Sequence, residues 1–182
     1  MIKGKNVYMS AITLEDAMSF RNHKEHEDKR LRYYNFKPMT RTDVERWYKE
    51  KTSFRNTYYY TINVGDERIG FISLKNINTR FKSASFGISI GADYTEKGYG
   101  RDAMETMIDY YRKLGIKKFY LRVHTDNVRA LNLYKSLGFE KIFTWYTTLP
   151  KEILPFVERK DRINILGINL HRYYLMKKWC YD

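Results

Sequence analysis

Cysteine is nearly absent: Cys180 is the only one among 182 residues. No intrachain disulfide can form and no cysteine-based metal cluster is possible, which fits a reducing cytoplasm. Proline is also scarce, at three residues (Pro38, Pro150 and Pro155), and there is no Gly/Ser-rich linker, low-complexity stretch or repeat period. These absences predict a single domain over residues 1–182. The hydrophobic content of 43% is enough to bury a core in a chain of this length. No run of about eighteen uncharged apolar residues is present to cross a bilayer. The opening Met1-Ile2-Lys3-Gly4-Lys5-Asn6 leads into no apolar stretch of the secretory kind. A soluble protein with no membrane partner is expected.

What is abundant is positive charge. The formal net charge is +13, which suits nucleic acid, an anionic surface or a phosphate-rich ligand equally well. The lysines and arginines are dispersed. Even Asp28-Lys29-Arg30-Leu31-Arg32 is broken by an acid and an apolar residue, so a solvated basic face is the default and no specific nucleic acid is expected.

Thr13 with Asp16 three residues on, ahead of Ala17, Met18 and Phe20, marks a capped helix. Thr42 with Glu45 repeats the pattern before Trp47 and Tyr48, so two amino-terminal helices are predicted with the aromatic stretch Tyr33-Tyr34-Asn35-Phe36 between them. The middle reads as strands over 58–64, 68–74 and 84–90. In the last of these, Ala84, Phe86, Ile88 and Ile90 alternate with Ser85, Gly87 and Ser89. From Arg101 the period becomes helical, with Ala103, Met104, Met107, Ile108, Tyr111 and Leu114 on one face and Gly115 to end it. A strand over 117–124 follows, completing a βαβ unit. A shorter helix is expected from Asp126 or Asn127 to Leu137, then strands near 141–147 and 169–179 on either side of a polar, proline-containing segment. The fold class is α+β, with a mixed, mostly antiparallel sheet flanked by helices.

Two segments carry chemistry. Glu96-Lys97-Gly98-Tyr99-Gly100-Arg101 joins a strand to a strongly patterned helix, so its amide N–H groups lie at a helix amino terminus, an anion site. Gly98 and Gly100 permit a sharp turn and close approach, while Lys97 and Arg101 add charge. Gly-x-Gly alone is equally the mark of a plain tight turn. The second segment runs Asn127-Val128-Arg129-Ala130-Leu131-Asn132-Leu133-Tyr134-Lys135-Ser136-Leu137-Gly138-Phe139. Asn127 and Tyr134 are about 10.5 Å apart along a helix and on nearly one face, so one extended ligand can meet both. Each also has a plainer role open to it, Asn127 as a helix cap and Tyr134 as a core tyrosine.

In this order and spacing the two segments resemble the GCN5-related N-acetyltransferase (GNAT) family. The likeness is greatest to the branch of ribosomal-protein amino-terminal acetyltransferases and to the related polyamine and amino-sugar acetyltransferases. It is specific from Ala84 to Phe139, looser from Lys5 to Leu74 and weak beyond Lys141. The resemblance implies that acetyl-CoA is the co-substrate, with no metal. It implies that the turn Lys97, Gly98, Tyr99, Gly100 and Arg101 holds the pyrophosphate, and that Ile88, Ser89 and Ile90 pair with the pantetheine through their backbone. It further implies that Asn127 contacts the cofactor and that Tyr134 protonates the departing thiolate. A phenol of pKa about 10 is a suitable donor to a thiolate of similar basicity. The acceptor is then a primary amine, either a protein amino terminus such as that of a ribosomal protein or a small amine.

The chain departs from the family pattern twice. Thr95 stands where an Arg or Gln often opens the turn, leaving Lys97 or Arg101 to replace that contact. Ser85 stands where many relatives carry a glutamate, so no general base is assigned. Water relayed by Ser85, His124 or an amino-terminal carboxylate is open. Glu25, Glu27, Asp28, Asp43 and Glu45 are the carboxylates available to attract a polycationic acceptor, but the positive charge favours a peptide amino terminus. His23, His26 and Glu27 have some of the spacing of a metal site on a helix, although no third ligand is in evidence. A non-catalytic acyl-CoA-binding or RNA-associated module is the competing class. Monomer and homodimer are both open.

Overall fold

A computed structural model describes residues 1–38 and 40–181, with the backbone alone for Tyr33. The strands are β1 (Ile2–Lys3), β2 (Tyr8–Ala11), β3 (Tyr58–Val64), β4 (Glu67–Asn78), β5 (Ser83–Ile90), β6 (Lys118–His124), β7 (Glu140–Thr148), β8 (Arg162–Ile165) and β9 (Ile168–Trp179). The helices are α1 (Leu14–Ser19), α2 (Arg41–Thr52), α3 (Tyr99–Lys113) and α4 (Val128–Ser136). The strands form one sheet in the order β1-β2-β3-β4-β5-β6-β9-β7, with β8 paired to β9. Every pairing is antiparallel except β5 with β6, the two strands joined through α3. This is the mixed, mostly antiparallel α+β arrangement expected. No helix among the described residues is long and apolar enough to cross a membrane.

Alternation decides which sheet face each residue meets. Ile62, Ile72, Leu74, Ala84 and Phe86 join Phe119, Leu121 and Val123 beneath α3 and α4, whose Met104, Met107 and Tyr134 complete the main core. Met104 and Met107 are fully buried, a contribution of about 1.5–3 kcal/mol each. On the opposite face Ile12, Phe20 and Tyr59 form a smaller cluster with Phe36, Trp47 and Phe71 under α1 and α2. Asp16 fastens α1 to that face, accepting hydrogen bonds from Thr61 at 2.8 Å and Arg68 at 2.6 Å as well as closing the capping box with Thr13.

Several boundaries differ from those expected. The cap of α2 is Thr40 with Asp43 rather than Thr42 with Glu45; both pairs have the required spacing, and the chain turns at the earlier one. α3 begins at Tyr99, ahead of the expected Arg101, because its first turn holds Gly100 and the charged Arg101 and Asp102 and so adds little to the apolar periodicity. β4 extends to Asn78, beyond the expected 68–74. The segment after β7 is not featureless: it contains two short 3-10 turns and β8, which forms a hairpin with β9. β1 and β2 were not anticipated. The loop between them is held by α3, since Asp102 accepts from the backbone N–H groups of Lys5, Asn6 and Val7. Residues 23–27 are not helical; a 3-10 turn, Lys29–Tyr34, follows them.

Candidate active site

β5 and β6 are paired only where residues 83–85 meet 118–120. β5 nevertheless continues to Ile90 and β6 to His124, so the strands part and leave a gap. The Gly91 N–H donates to the Ile69 carbonyl at 3.0 Å. Antiparallel pairs alternate, so in the register of β4 and β5 the bonded pairs are Phe71 with Ser89 and Ser73 with Gly87. The Phe86 N–H still bonds Tyr120 at the last β5–β6 pair, whereas the Phe86 C=O and the N–H and C=O groups of Ile88 and Ile90 point into the gap. Such groups require partners, and no strand supplies them.

At the top of the gap, residues 95–98 turn into α3. Gly98 caps the helix at φ 82°, and an added Cβ there meets nothing within 4 Å; the left-handed backbone, not crowding, calls for glycine. Gly100 is the reverse case. Its added Cβ would lie 3.3 Å from Ile90 Cδ1 and 3.7 Å from Leu133 Cδ2, so α3 packs closely on β5 and α4 there and a methyl would press on the Ile90 side chain. The first N–H groups of α3 have no acceptor within the helix and sit at its positive end. Arg101 is tied to α4 through Ser136 Oγ at 2.5 Å and also reaches Glu105.

A cleft of about 250 Å³ runs from this turn into the gap. It brings together Ile88, Ser89, Ile90, Gly98, Gly100, Arg101, Asn127 and Tyr134. Two of the singled-out residues lie outside its lining: Lys97 stacks its ammonium 5.7 Å over the Tyr94 ring, and Tyr99 packs on the core. Thr95 lines the cleft, its hydroxyl donating to the Ala92 carbonyl. Asn127 has both a structural contact and a cleft position, since its side-chain oxygen accepts from the Ala130 N–H at 3.1 Å and caps α4. Tyr134 is 8% exposed. Burial, with a smaller effect from Tyr34, pushes its phenol well above the ordinary tyrosine value, so it stays protonated at neutral pH.

The lining also holds residues not singled out for the cleft, among them Tyr34, His26 and Arg129. Tyr34 hydrogen-bonds the Asn127 side chain and the His124 backbone, and its carbonyl accepts from Ser89 Oγ at 3.1 Å. In sequence it is one aromatic in a run of three, with nothing to distinguish it. Arg129 stands inside the Asn127 to Phe139 segment, and an arginine in the first turn of a cleft-facing helix is the available signal.

On the other face of β5 lies a second, open groove of about 550 Å³ that shares Tyr34, Ile88 and Ser89 with the cleft. Phe36, Trp47 and Phe71 give it aromatic walls, and Lys37, Lys75 and Asp43 its charges. Asp43 is the one carboxylate lining it, already bonded to Thr40 and Arg46. Glu25, Glu27 and Asp28 line a separate pocket, and Glu45 pairs with Arg41. The side chain of Tyr33 lies outside the described residues. Tyr58 is exposed, and Tyr60 bonds the Tyr111 hydroxyl at 2.8 Å on the core side.

His124 stacks on the buried His171 with ring centroids 4.0 Å apart, and His171 Nε2 lies 3.0 Å from Asp126 Oδ2. Burial, then the neighbouring His171, lowers the His124 pKa to about 4. His23 is engaged structurally, Nε2 being 2.8 Å from the Arg68 carbonyl. No group of three metal-ligating side chains occurs among the described residues.

The acetyltransferase (GNAT) domain model matches residues 6–140. [Ribosomal protein bS18]-alanine N-acetyltransferase of Escherichia coli (strain K12) is 39% identical over 83 residues, 46% of this chain and 53% of that protein. Spermidine N(1)-acetyltransferase of Vibrio cholerae serotype O1 is 36% identical over 72 residues, 39% of this chain and 42% of that protein. The chain thus spans about half the length of the curated relatives it matches. The crystal structure of spermidine N-acetyltransferase from Vibrio cholerae in complex with CoA and spermine superposes with a TM-score of 0.67 at 20% identity, over 94% of this chain and 95% of that one. That likeness is one of fold.

Proposed function

The chain belongs to the GNAT acetyltransferase family, and we propose that it transfers an acetyl group from acetyl-CoA to a primary amine, above all a protein amino terminus such as that of a ribosomal protein. The observation that carries this is the parting of β5 and β6, which turns the backbone groups of Ile88 and Ile90 toward one cleft with the start of α3 and the Tyr134 phenol. Unpartnered N–H groups at a helix amino terminus suit a pyrophosphate. A free strand edge suits the amides of pantetheine, as a further strand would.

Bound there, acetyl-CoA would supply the acetyl thioester that the amine attacks. Gly98, Gly100 and Arg101 would hold its phosphates, with Lys97 and Tyr99 contributing backbone at the same turn. Ile88 and Ile90 would align its arm through their backbone, whereas the Ser89 backbone, expected to share in this, is bonded to Phe71 on β4; the Ile90 N–H would polarise the thioester carbonyl. Asn127 would meet the cofactor from the start of α4. Tyr134, kept protonated by burial, would give its proton to the leaving sulfur. Ser85 faces the groove without a carboxylate, so the amine's proton leaves through water.

The groove supports the choice of acceptor. Its charges are two lysines against one committed carboxylate, a poor match for a polyamine and an open trough for a chain end. Thiol release from acetyl-CoA should be followed with a panel of short peptides, spermidine and an amino sugar. Turnover with peptides above spermidine is expected. Spermidine preferred by an order of magnitude would overturn the acceptor assignment. No turnover with any amine, together with salt-sensitive RNA binding, would overturn the enzyme itself.

A further inference from the structure

The floor of the groove carries cations where a polyamine enzyme would need acids. Lys75 on β4 pairs in register with Ser85, and Ser85 with Tyr120 on β6. Paired residues share a face, so Lys75, Ser85, Gly87, Tyr120 and Arg122 all lie on the groove side. A Cβ added at Gly87 would be 3.4 Å from Lys75 Nζ, which puts the ammonium over β5, in the span where that strand borders the gap. The same ammonium stands 5.4 Å over the Tyr59 ring. Arg122 lines the small cavity between the parted strands, beside Gly87, Ile88 and Tyr134. Its guanidinium carbon is 6.0 Å from the Tyr173 ring centroid.

Among the described residues neither cation takes part in an ion pair. Burial first, and then the like charge of Arg122, lowers the Lys75 pKa. Lys75 is half-buried and Arg122 exposed, and two like charges near one another without a counter-ion are stabilised by any anion that enters between them. They also disfavour a second ammonium, so an acceptor amine arriving there is more readily lost to its neutral, nucleophilic form. Lys37 at the groove wall adds to the positive field, and Asp43 is occupied by Thr40 and Arg46.

Resting on the acetyl transfer proposed above, we infer that Lys75 and Arg122 form a specificity subsite for a carboxylate carried by the acceptor. The preferred substrate is then a primary amine with a carboxylate a few bonds away. That chemistry is met by the side chain of an acidic first residue in a peptide and by the α-carboxylate of a free amino acid.

The test compares thiol release with peptides identical except for Glu, Gln or Lys at the first position, and with free glutamate and glycine. Glu peptides should exceed Gln peptides by about tenfold in kcat/KM, the worth of one charge-assisted contact, and the margin should shrink with added salt. Lys75→Met should bring the Glu-to-Gln ratio to within about twofold, through KM rather than kcat, with the affinity for acetyl-CoA retained. Arg122→Gln, at an exposed position, should reduce the ratio in the same direction and guards against misfolding of the first variant. Free glutamate and glycine used better than any peptide would assign the carboxylate to an amino acid; Glu peptides used better would assign it to a side chain. Either supports the subsite. Equal use of Glu and Gln peptides with free amino acids used no better than either, or a preference for the carboxylate that survives Lys75→Met, overturns it while leaving acetyl transfer intact. If no amine turns over, calorimetric titration of the same peptides with CoA present reads the same preference, and equal heats for Glu and Gln overturn the subsite independently.

Discussion

The Tyr34 hydroxyl hydrogen-bonds the side chain of Asn127, joining a 3-10 turn early in the chain to the cap of α4. The same phenol meets the His124 backbone at the end of β6, and the Tyr34 carbonyl accepts from Ser89 on β5. One residue therefore links three walls of the cleft, β5, β6 and α4. Burial pushes its pKa above the ordinary tyrosine value, so it stays a neutral hydrogen-bonding group at neutral pH. The cleft is held in shape from a part of the chain distant in sequence from both motifs that line it.

Removing that hydroxyl should loosen the cleft without emptying a core. Tyr34→Phe is expected to cost about 1 kcal/mol of stability, the worth of a buried hydrogen bond. It should raise the KM for acetyl-CoA severalfold by freeing Asn127. Urea denaturation beside steady-state kinetics checks both. An unchanged KM would mean that Asn127 is positioned by its Ala130 contact alone.

Tyr134→Phe separates chemistry from binding. Loss of a positioned acid is expected to lower turnover by about 10²-fold or more, with acetyl-CoA affinity within twofold of the wild type. Thiol release at the wild-type rate in that variant would leave Tyr134 as a core tyrosine.

Much of this arrangement is legible in the residues. The alternation of 84–90 and the apolar face from Ala103 to Tyr111 carry β5 and α3 because each has a buried side; Leu114, expected on that face, is the C-cap of α3 and is 61% exposed. Asn127, Tyr134 and the glycine turn are close in sequence and sit on contiguous elements. Tyr34 and the groove are different. Lys75, Trp47 and Ser89 come from three separate elements, and their meeting depends on strand register, which no local pattern encodes. The α2 cap shows the same limit at short range: Thr40 with Asp43 and Thr42 with Glu45 fit one rule, and only the path of the chain chooses between them.

His124 makes stability depend on pH in a defined window. Its folded pKa of about 4 lies below the roughly 6.5 of an unfolded histidine. Above that unfolded value both states are neutral there and the residue adds no dependence. As pH falls through the window the unfolded chain takes up a proton that the folded one refuses, so stability declines until about pH 4 and then levels for this group. His124→Gln should flatten the slope of the urea midpoint between about pH 4 and 6.5. A slope equal to that of the wild type would assign the dependence to other groups.

Gly98 and Gly100 should fail differently when each is changed to alanine. At Gly98 the cost is conformational: φ is 82° and nothing crowds the new methyl, so about 1 kcal/mol of strain is expected. The turn can relieve that strain by moving its N–H groups, so acetyl-CoA binding should weaken with it. At Gly100 the backbone is helical and alanine suits a helix, but the methyl would press on Ile90 Cδ1 at 3.3 Å. That contact is with the end of a flexible side chain lining the cleft, so Ile90 must shift by a few tenths of an ångström. Thermal stability should then change little or rise slightly, while kcat falls, because the displaced residue is the one expected to carry the N–H at the thioester. Melting curves and thiol-release kinetics on the two variants distinguish strain from displacement. If Gly100→Ala instead leaves kcat unchanged, the position of Ile90 is not critical to transfer.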